Sequence, residues 1–227
     1  MYYKDLFYFD IETVGRYKDY QTCLLEDPKG AELFEKKYHK NDWMKENSPT
    51  VDDAYKNFAG LFSTYGKIVC ISFGYFTKKN EKGYTVSSIY GDDEEKIINE
   101  FSELLMKVSE KGMYLSGYVI NAFDIPFIIH KIHKYKAPLP NILNIYDKKP
   151  WEVNIFDLAD KWKFQTKYYA SLDEVCYELG IESPKNDING SEVHKVYWYN
   201  NDLERIKIYC EKDVLSTMKV GKRLLDI

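Results

Sequence analysis

The run Leu6-Phe7-Tyr8-Phe9-Asp10-Ile11-Glu12-Thr13 decides how this chain is read. Its aromatic and β-branched bias predicts a buried strand. Alternate residues of a strand share a face, so the carboxylates of Asp10 and Glu12 emerge side by side. At roughly 6 Å and an effective dielectric of about 20, two such charges repel by about 3 kcal/mol. A pair like this at the end of a core strand calls for a positive partner, and a divalent cation is the natural one.

Outward from that strand, a polar, helix-prone region spans about residues 15 to 60, with helices expected near 31–39 and 51–61. Its thin apolar content predicts an insertion or cover rather than a separate domain. Residues 67–76 and 84–90 read as paired strands joined by a turn. A helix follows over about 92–111, with Asp92, Asp93, Glu94 and Glu95 at its positive N-terminal end. That acidic run is a helix start and no metal site. Residues 113–120 predict another buried strand, 125–135 a helix, and 154–156 a short strand ending at Asp157. Ser171-Leu172-Asp173-Glu174 is a capping box for a helix that Gly180 closes. The last helix runs over about 202–225. The sum is mixed α/β, with antiparallel strands first.

Composition narrows the function classes. A net charge of −4 argues against a protein that coats duplex DNA, yet permits an enzyme that grips a strand end. The 21 tyrosines and 12 phenylalanines suit base stacking as well as core packing. Cys23, Cys70, Cys176 and Cys210 form no C-x-x-C pair, which points to reduced thiols. With no secretion signal and no apolar run near the roughly 18 residues of a membrane helix, a cytoplasmic location is expected.

Two further acidic positions matter. Asp124 follows the predicted 113–120 strand and by itself reads as a helix N-cap. Asp213 lies four residues after Tyr209, so both share one face of the last helix. Carboxylates at the ends of three core elements, with a tyrosine one turn before the last, suit two-cation phosphoryl chemistry. No His and Cys cluster competes with them.

At these residues the chain resembles the DEDD superfamily of 3′–5′ exonucleases. Phe9-Asp10-Ile11-Glu12-Thr13 is similar to its first motif, Ser116-Gly117-Tyr118 through Phe123-Asp124-Ile125-Pro126-Phe127 to its second, and Tyr209-Cys210-Glu211-Lys212-Asp213 to its third. Tyr209 marks the tyrosine branch; the histidine branch would carry His where this chain has Ile208. The texture is similar to that of the proofreading domain of family-B DNA polymerases, and a stand-alone exonuclease of that kind is expected. One departure is that the Asn usual four or five residues before the motif-two Asp is replaced by Ile120 and Val119, with Asn121 shifted.

The resemblance implies an RNase H-like mixed five-stranded sheet flanked by helices, in a single exonuclease domain over residues 1–227. It implies two divalent cations, Mg²⁺ or Mn²⁺, held by Asp10, Glu12, Asp124 and Asp213, with Tyr209 orienting water and phosphate. It implies 5′-mononucleotides released from single-stranded 3′ ends, DNA favoured, in a repair setting. Asn121, Phe123 and Lys185 are candidate substrate contacts, as is Lys195. Asp157 and Asp160 are candidate outer carboxylates, and His130, His133 and His194 read as surface or packing residues. The alternatives are a ribonuclease or RNase H-like endonuclease, and a catalytically silent nucleic-acid-binding module.

Overall fold

The computed structural model describes residues 2–78, 82–182 and 187–226. Among them, β1 (Leu6–Gly15), β2 (Gly66–Phe76), β3 (Tyr84–Tyr90), β4 (Tyr114–Gly117) and β5 (Ile155–Asp157) form a sheet ordered β3-β2-β1-β4-β5. β1–β2 and β2–β3 are antiparallel, and β4 joins β1 and β5 in parallel. This is the mixed α/β, RNase H-like architecture expected from the sequence.

β1 is central, and nearly all of it is buried, as befits a strand covered on both faces. Phe7, Phe9 and Ile11 enter the larger core cluster, while Leu6 and Tyr8 enter a second one with Val214 and Met218. Pairing with β4 covers only Leu6–Tyr8, so β1 runs on past its parallel neighbour. Its register with β2 shifts between Glu12 and Thr13, a bulge that adds local twist beside the two carboxylates.

The helices are α1 (Tyr20–Glu26), α2 (Pro28–His39), α3 (Asp42–Asn47), α4 (Val51–Phe58), α5 (Glu94–Glu110), α6 (Asp124–Tyr135), α7 (Leu158–Lys163), α8 (Leu172–Leu179), α9 (Val193–Lys195) and α10 (Leu203–Leu225). α10 lies close on the sheet because two glycines admit it. A Cβ on Gly74 would sit 2.6 Å from Met218 Sδ, and one on Gly221 would sit 2.4 Å from Tyr8 Oη. That approach carries Tyr209 and Asp213 over β1.

The inserted region differs from its sequence reading. Its helices α1 to α4 bury a cluster of their own, with Tyr20, Phe34, Tyr38, Tyr55 and Phe58 as its large members. The apolar content is thin only if tyrosine is counted as polar. Here each of the three buried tyrosines keeps its hydroxyl partnered: Tyr20 donates to Glu35 at 3.1 Å, Tyr38 donates to the Ser48 carbonyl at 3.1 Å, and Tyr55 Oη accepts the Tyr17 N–H at 3.3 Å. The insertion is tied to β1 by Thr13, whose hydroxyl donates to the Gly60 carbonyl at 2.7 Å. No described helix is long and apolar enough to cross a membrane.

Candidate active site

Where β4 stops, β1 needs another acceptor for its backbone, and Asp124 supplies it. Its Oδ1 accepts the Ile11 N–H at 3.0 Å from the first residue of α6. Asp124 is thus no N-cap; Phe123 holds that position without a side-chain cap bond. The carboxylate is 3% exposed, and burial pushes its pKa up to about 7.

Asp10 and Glu12 point from β1 toward α10. Oxygens of both and Cys210 Sγ lie within 4.8 Å of one another. Burial holds Asp10 well above the usual carboxylate range, and the charges of Asp124 and Asp213 raise it further. Glu12 is displaced the same way by burial, then by Asp10 and Asp213. All four carboxylates therefore meet in one electrostatic unit. Tyr209 is buried and its hydroxyl donates to Asp213. Burial, with the Asp213 charge beside it, keeps the phenol protonated far beyond its ordinary range.

Cys210 is the group that sequence reasoning left out. Its thiol donates to Asp10, at 3.4 Å to Oδ2 and 3.5 Å to the backbone oxygen. The signal was present in the spacing, since residues 209, 210 and 213 share one helical face. Burial pushes the thiol pKa well up, so sulfur acts here as a donor to Asp10. The remaining hard oxygen donors suit Mg²⁺ or Mn²⁺.

A family model described as a predicted 3′–5′ exonuclease related to the exonuclease domain of PolB matches residues 59–224, well over half of the chain. The chain belongs to this exonuclease family. Membership makes it a nuclease, a hydrolase acting on nucleic acid. The exonuclease fold also matches a solved family B DNA polymerase from the hyperthermophilic archaeon Pyrobaculum calidifontis, with a TM-score of 0.56 at 17% identity. That match covers 97% of this chain and 24% of the polymerase, so the exonuclease chain spans about a quarter of that protein's length. No curated protein matches the chain.

The other candidates of the exonuclease divide. Phe123, half-buried, lines a cleft of ≈ 150 Å³ with Ile11, Glu12, Thr13, Lys56, Leu61 and His194. Asn121 does not enter that cleft. Its Nδ2 donates to Asp160 at 3.0 Å and its backbone N–H to Asp157 at 2.9 Å. Asp157 also accepts the N–H groups of Val119 and Ala159, each at 3.0 Å. Asp157 and Asp160 therefore brace the motif-two loop, and the Asp157 charge also acts on Asp124, helping to raise its pKa. The brace matters because Val119 sits at φ 65, a costly conformation for a β-branched residue.

Lys195 is exposed on α9, outside the cleft, and Lys185 lies outside the described residues. His130 and His133 are exposed, bonded to Ser63 and Tyr146. His194 is instead buried: Nδ1 accepts the Gly15 N–H at 3.1 Å, and Nε2 donates to the Lys18 carbonyl at 2.9 Å. Burial lowers its pKa, so a neutral imidazole straps the end of β1.

Proposed function

We propose that this protein is a divalent-cation-dependent exonuclease that removes 5′-mononucleotides from the 3′ end of single-stranded DNA. The observation that carries the reading is the convergence of the buried Glu12 and Asp124 with the half-buried Asp10 and Asp213, whose mutual repulsion a cation would relieve. Asp10, Glu12 and Asp213 would hold one ion, with Asp10 and Asp124 serving a second. When bound, such a pair supplies a nucleophilic water near neutral pH and stabilises the departing 3′ oxygen.

The protein's own groups do the rest. Cys210 fixes the rotamer of Asp10 through its thiol hydrogen bond. Tyr209 stays protonated, so it donates and orients rather than abstracting a proton. The cleft beside Glu12 is smaller than the roughly 300–1,000 Å³ of drug-sized sites, which suits one terminal base against Phe123 and Leu61.

The test is digestion of 5′-labelled DNA and RNA strands, free or blocked at the 3′ end, with Mg²⁺ or Mn²⁺. A ladder shortening from free 3′ ends is expected, faster on DNA. Equal cutting of blocked strands, or cuts at interior bonds, would mean an endonuclease. Tyr209→Phe should lower kcat about 10²-fold, the scale for losing one oriented donor. Calorimetric Mn²⁺ affinity should stay within a few-fold, and a collapse of that affinity would contradict an orienting role.

A further inference from the structure

The segment after β5, Asp160-Lys161-Trp162-Lys163-Phe164-Gln165-Thr166-Lys167-Tyr168-Tyr169, is not used by the chemistry above. Residues 164–169 are exposed one after another, and Phe164 is 81% exposed, Tyr168 63% and Tyr169 47%. Phe164 takes φ 51 and ψ −117, a backbone shape that suits glycine, and its ring gains no core packing in return. Fold stability thus gives no reason for a phenylalanine there.

Charge and position supply one. Three lysines stand in a stretch whose one acid, Asp160, accepts hydrogen bonds from Asn121 and Tyr169. Lys163 Nζ rests 3.9 Å above the Tyr169 ring. The chain as a whole is negative, at −4, so this is a local reversal of sign. Exposed rings interleaved with lysines suit single-stranded nucleic acid, whose bases stack while its phosphates meet the cations. The Asn121–Asp160 bond joins this surface to the loop that leads into Asp124, one of the four clustered carboxylates.

We propose that Phe164, Tyr168 and Tyr169, with Lys161, Lys163 and Lys167, form a stacking platform for the single strand on the 5′ side of the cleaved bond. This rests on the exonuclease reading. The platform holds the strand while the terminal nucleotide occupies the cleft, so it governs affinity for long strands and not for the shortest ones.

The test is fluorescence anisotropy of 5′-labelled 15-mer and tetramer oligothymidylates in EDTA, where no cleavage occurs. Phe164→Gly and Tyr168→Ala should each weaken 15-mer binding about ten-fold, the scale of one lost base stack, and leave the tetramer nearly unchanged. Tyr168→Phe, which keeps the ring, should bind as wild type. Lys167→Ala should lower the salt slope of 15-mer binding by about 0.7. The melting temperature of Phe164→Gly should equal or exceed that of wild type. Unaltered 15-mer binding in both ring variants, or a lower melting temperature of Phe164→Gly, overturns the platform. Failure of the wild type to shorten a 5′-labelled strand in Mg²⁺ would instead overturn the exonuclease reading, since the binding arms use no metal.

Discussion

Asp10→Asn and Asp213→Ala are each expected to lower strand-shortening activity by about 10³-fold or more, because several kcal/mol of charge stabilisation leave with the ion. Asp10→Asn should at the same time stabilise the metal-free protein. Asp10 is held among Glu12, Asp124 and Asp213, and its raised proton affinity measures how unfavourable its charge is there. Removing 1–2 kcal/mol of that cost would raise the melting temperature by roughly 2–8 °C in a chain of this size. The same physics fixes a pH dependence. Asp124 titrates near 7 when folded, against an ordinary value of 3.8. Between those values the folded state binds more protons than the unfolded one, so metal-free stability rises as pH falls from 8 to 5. Saturating Mg²⁺ should reverse the trend, because the ion binds deprotonated carboxylates. Melting curves in EDTA and in Mg²⁺ across that range check both signs. A metal-free protein that loses stability as pH falls from 8 to 5 would contradict the clustered arrangement.

The parts of the site legible in the sequence are those set by short periodicities. Asp10 and Glu12 are two apart in a strand, and Tyr209 and Asp213 four apart in a helix, so each pair faces one way whatever surrounds it. Asp124 was less legible by itself. Locally it looks like a cap, and its real partner, Ile11, lies 113 residues away. The braces of the motif-two loop were illegible for the same reason. Asp157 reaches Val119 and Asn121 only because β5 lies beside β4. The core of the insertion was hidden by chemistry rather than distance, since a tyrosine's burial depends on whether its hydroxyl finds a partner.

Glu94 shows what a local reading leaves out, and it carries the largest stability prediction. In sequence it belongs to an acidic helix start, and its neighbour Asp93 does cap α5. Glu94 itself is 5% exposed and accepts the Ile68 N–H at 2.8 Å, Lys131 at 3.0 Å, Lys134 at 3.0 Å and the Tyr135 hydroxyl at 2.6 Å. Lys131 is 1% exposed, and burial pushes its pKa down to about 8 even against the pull of Glu94. Its ammonium also donates to the Gly66 carbonyl at 2.6 Å. Lys131→Met leaves a buried carboxylate with less compensation and a buried carbonyl without this donor. The expected cost is about 3–5 kcal/mol. At roughly 2–4 °C per kcal/mol, the melting temperature should fall by about 6–20 °C. Adding Glu94→Met should recover part of the loss, because the unpaired charge goes too, while the Ile68 N–H and the Gly66 carbonyl still lack partners. A single-variant loss below about 1 kcal/mol in urea melts would show that Lys134 and Tyr135 already suffice for Glu94. The clamp joins α5, α6 and the start of β2, where Gly66 pairs with Gly15 three residues past the Glu12 bulge. Because α6 begins with Asp124, loosening the clamp should also lower kcat, but by far less than removing a carboxylate. That split separates a group that positions the site from one that belongs to it.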